Sequence, residues 1–327
     1  MAEIGSVMEI EDKGIPTSFL GMAIYYNQNA RIISINQPGL IDQIVKAARM
    51  EDSTKDYLTP LKFGYDVTKN NGAPHESFHG VSFAALVGAA SYVCQCTRPD
   101  IANAIRTLSA HAANPSKRAH VQLNHLIGYL QTTRNWVLTF GLHIPFTFNP
   151  PLQPSTSARK KEPCDLITVF SDADWAKEPD RESVSGYISF LLGSPINWTS
   201  KKQKSVVALS SMESEVIAAN LAAREAAWLR KMFRLTDEES IITVNLGLDN
   251  QAAIYFAQAD TDHTRAKHID LKYYYIKGKV ADDTVRIYHV RSEINPADIF
   301  TKPLRPDRHL SLIRMLGLRR LEEVYWK

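Results

Sequence analysis

Four carboxylates stand where a strand ends or a helix begins. Asp172 lies in Val169-Phe-Ser-Asp-Ala-Asp-Trp175, Glu215 in Ser210-Ser-Met-Glu-Ser-Glu215, Asp249 directly after Val244-Asn-Leu-Gly-Leu248, and Asp298 in Asn295-Pro-Ala-Asp-Ile-Phe-Thr-Lys302. Oxygen donors of this kind suit a hard divalent cation such as Mg2+, which fills the rest of its shell with water and phosphate oxygens. Two such cations activate water and stabilise a leaving oxygen, which is what phosphodiester hydrolysis demands. The edge of an open sheet where strands end and helices start is also where sites of this kind collect. Each acid has a structural alternative: Asp172 could close a strand as a turn residue, Asp249 could cap the helix that follows, and Asp298 could favour a helix dipole. Taken together, in this element order, the four predict a shared site on the order of 10 Å across.

The helix that follows Ser210 offers two glutamates. Ser210-Ser-Met-Glu213 fits a capping box, which gives Glu213 a structural task. Glu215 continues the face of Ala219, Ala222, Ala226, Leu229 and Phe233, the side expected to pack on a sheet. A carboxylate heading an apolar face needs a partner such as a metal, so Glu215 is chosen over Glu213.

The elements that must position these acids are legible from periodicity. Leu166–Phe170, Gly186–Leu192 and Ile196–Thr199 read as strands, followed by a long helix from Ser210, a strand at Val244–Leu248, helices over 250–258 and 268–279, a strand at Val285–Val290 and a helix from Pro296. This βββαβααβα order predicts an α/β domain with a central mixed five-stranded sheet over residues 165–304, and leaves 305–327 as a C-terminal tail. Upstream, residues 1–142 read as a smaller α+β unit. It has a hairpin around Asn27-Gln-Asn29 and a helix for which Asn114-Pro115 supplies cap and first residue, with Lys117, Arg118 and His125 on its polar face. Between the units, Pro145, Pro150, Pro151 and Pro154 and the run Ser155–Lys161 predict a linker over 143–164.

Composition sets few further limits. Of 327 residues, 44% are hydrophobic and 22% charged, so the chain can bury a real core; the net charge of +3 does not by itself indicate a nucleic-acid partner. No apolar run is long enough to span a membrane, and Met1-Ala-Glu3 leads into acidic sequence rather than a secretory signal, which predicts an intracellular protein, cytoplasmic or nuclear. Cys94, Cys96 and Cys164 lack the paired spacing of a zinc site and read as reduced, buried thiols.

The motifs are familiar as a set. Phe170-Ser-Asp-Ala-Asp-Trp175, Arg181-Glu-Ser-Val-Ser-Gly-Tyr187, Trp198-Thr-Ser-Lys-Lys-Gln203, Ala208–Glu215, Asp249-Asn-Gln-Ala-Ala253, Lys267-His-Ile-Asp270 and Ala297–Leu304 resemble, in order, the ribonuclease H domain of copia-type LTR retrotransposon Pol polyproteins. Phe19–Ile24, Thr59-Pro-Leu61, Leu86–Tyr92, Thr97–Ala102 and Asn114-Pro-Ser116 resemble the end of the reverse transcriptase of the same family, a thumb or connection remnant. The resemblance implies a ribonuclease H-like fold and cleavage of the RNA strand of RNA–DNA hybrids with two Mg2+ ions, for which Mn2+ can substitute, on Asp172, Glu215, Asp249 and Asp298. The polymerase's Tyr-x-Asp-Asp motif is absent, so no polymerase activity is expected. The alternative is an inactive remnant that at most binds nucleic acid. Two departures stand out: Gln203–Leu209 is one residue longer than the family spacing, and Glu293 stands where related enzymes carry a histidine before the last aspartate.

A hybrid partner would be held through its phosphates by basic groups. Lys201, Lys202 and Lys204 before the long helix, and Arg265, Lys267, His268 and Lys272 around the later one, are the candidates. The reverse-transcriptase palm or other products of a polyprotein are further possible partners.

Overall fold

The computed structural model describes residues 14–65, 67, 80–142, 166–175, 181–204, 208–234, 243–259 and 270–325. The first unit opens with three strands, β1 (Ser18–Phe19), β2 (Met22–Asn27) and β3 (Ile32–Asn36). Helices α1 (Pro38–Ala47), α2 (Phe83–Cys96), α3 (Ala102–Ser109) and α4 (Lys117–Thr132) follow, and then β4 (Trp136–Phe140). The polar cap of α4 falls later than the Asn-Pro pair suggests. Ser116 is the cap, its Oγ accepting from the Ala119 amide at 3.1 Å, so the helix begins at Lys117. Its polar face is partly packed: Lys117 is exposed, but Arg118 lies over the Tyr65 ring, and His125 Nε2 bonds the Thr59 carbonyl at 2.9 Å.

The second unit contains β5 (Ile167–Asp174), β6 (Val184–Leu191), β7 (Ser194–Lys202), α5 (Ser211–Arg234), β8 (Val244–Leu248), α6 (Gln251–Gln258), α7 (Asp270–Ala281) and β9 (Val285–His289). Its strand order is β7-β6-β5-β8-β9. The β7/β6 and β6/β5 pairs are antiparallel, and β5/β8 and β8/β9 are parallel, so the sheet is mixed and five-stranded, as the sequence predicts. β5 lies at the centre with nearly every side chain buried, as a strand covered on both faces must be. One face is covered by α5, whose Ala219, Ala222, Ala223 and Ala226 are fully buried; small side chains let the helix lie close to Val169, Leu246 and Ile287.

The other face is covered by the first unit. Phe170, Ile188 and Phe190 share a core with Leu86, Val93, Leu126, Phe300, Leu312 and Leu318. The Trp198 indole N–H donates to the Cys94 carbonyl at 3.1 Å across the same boundary.

Two expectations change here. The region after Pro296 is a short 3-10 turn, Pro296–Phe300, rather than an α-helix. The residues set apart as a tail form α8 (Pro306–Met315), β10 (Leu318–Arg320) and α9 (Leu321–Tyr325), and β10 pairs antiparallel with β4. The first sheet therefore runs β1-β2-β3-β4-β10 and takes its last strand from the chain's C-terminal end. Burial of Leu312, Ile313, Leu316 and Leu318 drives this return. The linker expected over 143–164 lies outside the described residues.

Candidate functional site

Asp172 occupies the end of β5 on the same face as Phe170, paired in register with Gly186 of β6. Gly186 is what lets the 3-10 turn approach: a methyl group there would come within 2.6 Å of Phe300 Cβ and 2.9 Å of Thr301 Cγ2. The turn is tied down by Asn295, whose side-chain oxygen accepts from the Ala297 amide at 3.1 Å and whose Nδ2 donates to the Ser171 carbonyl at 3.0 Å. Asp298 and Thr301 are thereby placed over the end of β5, and the Thr301 hydroxyl donates to Asp172 Oδ2.

Glu215 and Glu213 separate in space. The Glu213 amide donates to Ser210 Oγ at 3.2 Å, and Glu213 Oε2 accepts from the Leu209 amide at 2.6 Å, a reciprocal cap closing the first turn of α5. Glu215 turns inward and is 9% exposed. Gln203 supports that turn, donating to the Ser214 carbonyl and to Ser185 Oγ, each at 2.9 Å. Asp249 is not a helix cap. Asn250 performs that task, accepting from the Ala253 amide at 3.0 Å, and Asp249 Oδ2 accepts instead from the Ser292 hydroxyl at 2.7 Å.

Asp172, Glu215 and Asp249 each bring a carboxylate oxygen within 4.8 Å of the others. Asp298 stands beside this trio and is bound by two cations: its Oδ1 is 2.9 Å from Lys302 Nζ, and its Oδ2 is 3.0 Å from Arg308 Nη2. Lys302 Nζ also lies 3.6 Å from Asp172 Oδ2.

The electrostatics follow from crowding and burial. Asp172 is pushed up to about 8, first by burial and then by Asp298 and Asp249, against the pull of Lys302. Burial, with Asp172 and Asp249 as neighbours, holds Glu215 well above the usual carboxylate range. Asp249 is raised chiefly by burial, which the Ser292 hydrogen bond only partly offsets. Burial disfavours the Lys302 ammonium, but Asp172 and Asp298 outweigh it and keep it charged. Four acids face only two basic side chains in a low-dielectric corner, so ionisation of all four would leave negative charge uncompensated. An all-oxygen donor set in that state fits a hard dication.

The expected nucleic-acid residues divide. Lys201, Lys202 and Lys204 line a groove of about 1070 Å³ along the edge strand β7, between α3 and α5. Trp198, Arg106 and Arg224 share its lining, which among the described residues contains no carboxylate, although Lys202 also pairs with Glu182 at 3.2 Å. Arg265, Lys267 and His268 lie outside the described residues, as does the side chain of Lys272. The sequence reading missed Ser292, Lys302, Arg308, Arg106 and Arg224. Lys302 belongs to the Asn295–Lys302 stretch and is legible there as the charge four residues after Asp298; nothing in spacing links Arg308 or Arg106 to the site.

No family model matches the chain. Among curated proteins, it is 29% identical over 308 residues to the retrovirus-related Pol polyprotein from transposon TNT 1-94 of Nicotiana tabacum, covering 92% of this chain and 21% of that protein. It is 31% identical over 245 residues to the Pol polyprotein from transposon RE1 of Arabidopsis thaliana, covering 73% of this chain and 15% of that protein. A shorter relative, secreted RxLR effector protein 161 of Plasmopara viticola, is 37% identical over 157 residues, which is 48% of this chain and 96% of that protein. Among solved structures, LC11-RNase H1 in complex with RNA/DNA hybrid overlaps 41% of this chain and 93% of its own, at 15% identity and a TM-score of 0.31. The chain spans 21% and 15% of the length of these two transposon polyproteins. It belongs to the retrovirus-related Pol polyproteins of retrotransposons, the copia-type family that its motifs resemble.

Proposed function

We propose that residues 165–304 form a ribonuclease H that hydrolyses the RNA strand of RNA–DNA hybrids in a divalent-metal-dependent reaction. The observation that carries this reading is the meeting of Asp172, Glu215 and Asp249 within 4.8 Å, from a strand end, a helix turn and a second strand end. Asp172 and Asp249 would hold Mg2+, or Mn2+ in its place, with Glu215 completing one position and Asp298 the other. When bound, such a pair of ions supplies an activated water and stabilises the leaving oxygen.

The chain's own groups do the rest. Thr301 and Ser292 fix the orientation of Asp172 and Asp249 through hydroxyl hydrogen bonds. Glu213 leaves Glu215 free for the site by taking the capping role. The groove along β7, lined by Lys201, Lys202, Lys204, Arg106 and Arg224, suits a phosphate backbone. Ser200 in that groove is two strands from Asp172 in register, or roughly 10 Å at the usual strand spacing. The first unit, which resembles the end of the family's reverse transcriptase beyond its palm, would brace the sheet and supply Arg106 to this groove. The hybrid, and in a longer polyprotein the polymerase palm, are the proposed partners, in an intracellular setting. No helix among the described residues is long and apolar enough to cross a membrane.

The deciding experiment incubates the purified chain with a labelled RNA–DNA hybrid and Mg2+, alongside DNA–DNA and RNA–RNA duplexes of the same sequence. Cleavage of the hybrid's RNA alone, abolished by a chelator, is the expected result. Retention of the hybrid with no cleavage at any Mg2+ or Mn2+ concentration would replace the enzyme by a nucleic-acid-binding remnant.

A further inference from the structure

We propose that the Lys302 ammonium is the resident cation of the Asp172–Asp298 pair and must swing out before a dication can settle between these two carboxylates, so that the two metal positions fill in sequence. The inference rests on the metal-dependent reading above and concerns which position fills first.

The geometry separates the four acids into two kinds. Asp172, Glu215 and Asp249 turn oxygens toward one another, and among the described residues no lysine or arginine forms an ion pair with Glu215 or Asp249. A dication entering there displaces no side-chain cation from Glu215 or Asp249. Asp298 is already compensated twice, by Lys302 and by Arg308. Lys302 Nζ, at 2.9 Å from Asp298 and 3.6 Å from Asp172, lies where a cation shared by these two carboxylates would lie. Like charges at such distances repel strongly in a site this buried, so the ammonium and a dication exclude each other.

Lys302 is built to leave. Its side chain is 29% exposed, which gives the head group a path to solvent, and its four-carbon stem is flexible. Arg308 is built to stay. It approaches the other oxygen of Asp298 from α8 and also donates to the Ser292 carbonyl. Asp298 therefore keeps a partner when Lys302 departs, and the exchange replaces one positive charge by two without freeing the carboxylate. The first position, at the trio, should fill at low metal concentration, and the second only when the metal can compete with the tethered ammonium.

Calorimetric titration of Mn2+ into the full chain tests this without reference to cleavage. The wild type should show two classes of site, the weaker by roughly tenfold or more. Lys302→Gln, which keeps the stem and removes the charge, should tighten the weaker class by roughly tenfold, while Lys302→Arg, which keeps the charge, should leave two unequal classes. Near-UV circular dichroism confirms that each variant is folded, and Asp298→Asn identifies the weaker class by weakening it. The proposal is overturned if the wild type binds two ions with equal affinity, or if Lys302→Gln leaves the weaker class unchanged or weakens it. It is likewise overturned if Lys302→Arg tightens that class as Lys302→Gln does. A wild type that binds no Mn2+ at all sinks the metal-dependent reading itself.

Discussion

At the scale of single residues, the site is governed by a conflict between burial and charge. Asp172 is 2% exposed with acidic neighbours, and its pKa is pushed up from the ordinary carboxylate range to about 8. A group whose folded pKa lies above its unfolded value stabilises the fold at low pH and loses that contribution as pH rises through the folded pKa. For Asp172 the loss runs from the ordinary carboxylate range up to about pH 8. Asp172→Asn removes the charge and keeps the shape. It should therefore raise the melting temperature of the metal-free protein at pH values above about 8, while lowering hybrid cleavage on the order of a thousandfold or more, because ligands of one metal site act as a unit. Thermal melts in chelator and single-turnover cleavage check the two halves; a variant that is less stable in chelator, or that still cleaves, contradicts this account. Glu213→Gln gives the contrast. It weakens the cap at Leu209 and should cost about 0.5–1 kcal/mol of stability, with cleavage changed by no more than about twofold once the lower stability is allowed for.

At the scale of elements, the site depends on how closely the turn Pro296–Phe300 lies against β6. Gly186→Ala would push a methyl group against Phe300 Cβ at 2.6 Å, with no room in a strand whose neighbours are fixed on both sides. Overpacking of this kind costs about 1–3 kcal/mol. Because the atoms displaced belong to the turn that carries Asp298 and Thr301, cleavage should fall further than stability predicts. Comparing Gly186→Ala with a variant destabilised equally elsewhere, at a temperature where both are folded, measures the excess; equal activity in the two would show that the turn is not held at the site by this contact.

Much of this arrangement was readable from sequence. The succession of strands and helices along the chain, the long helix and the separation of Glu213 from Glu215 follow from periodicity and capping rules, which act over a few residues; the pairing order of the strands within the sheet does not. The cap of α4 was misplaced because Asn114-Pro115 and Ser116 offer competing starts, and only the Ser116 hydroxyl reaches the Ala119 amide. The turn after Pro296 read as a helix because its cap and proline are those of one; the chain leaves it after Phe300, where Thr301 turns to Asp172. Arg308 on Asp298, and Arg106 beside the lysines of β7, are contacts made by chain segments distant in sequence, and local pattern carries no record of them.

At the scale of the whole molecule, the return of the chain's C-terminal end binds the two units together. Arg98 and Asp100 form a fully buried ion pair at 2.7 Å between α2 and α3, and Tyr129 of α4 donates its hydroxyl proton to Asp100 at 2.6 Å. The Tyr129 oxygen must then accept from His309 of α8, whose Nε2 is 2.9 Å away, so the neutral imidazole carries its proton on Nε2. This network joins the helices of the first unit to the segment that carries Arg308 to the site. Burial holds Asp100 toward its neutral form, but Arg98 and the Tyr129 hydroxyl outweigh it and depress its pKa. Burial lowers His309 from 6.5 to about 4, helped by Arg98 and opposed by Asp100. The unfolded chain therefore binds a proton near pH 6.5 that the folded chain refuses until about pH 4. The stability this neutral histidine contributes is whole above about 6.5 and is lost as pH falls toward about 4. At about 1.4 kcal/mol per pH unit, roughly 2 kcal/mol should be gone by about pH 5. Asp172 and Glu215 act in the opposite sense over the same range, so the comparison needed is between the wild type and His309→Gln, which keeps an N–H donor near Tyr129 and cannot titrate. Urea unfolding at about pH 7 and about pH 5 should show the wild type losing roughly 2 kcal/mol more than His309→Gln over that interval. Equal losses in the two proteins would show that His309 is not held neutral, and that α8 is not seated on the first unit through this bond.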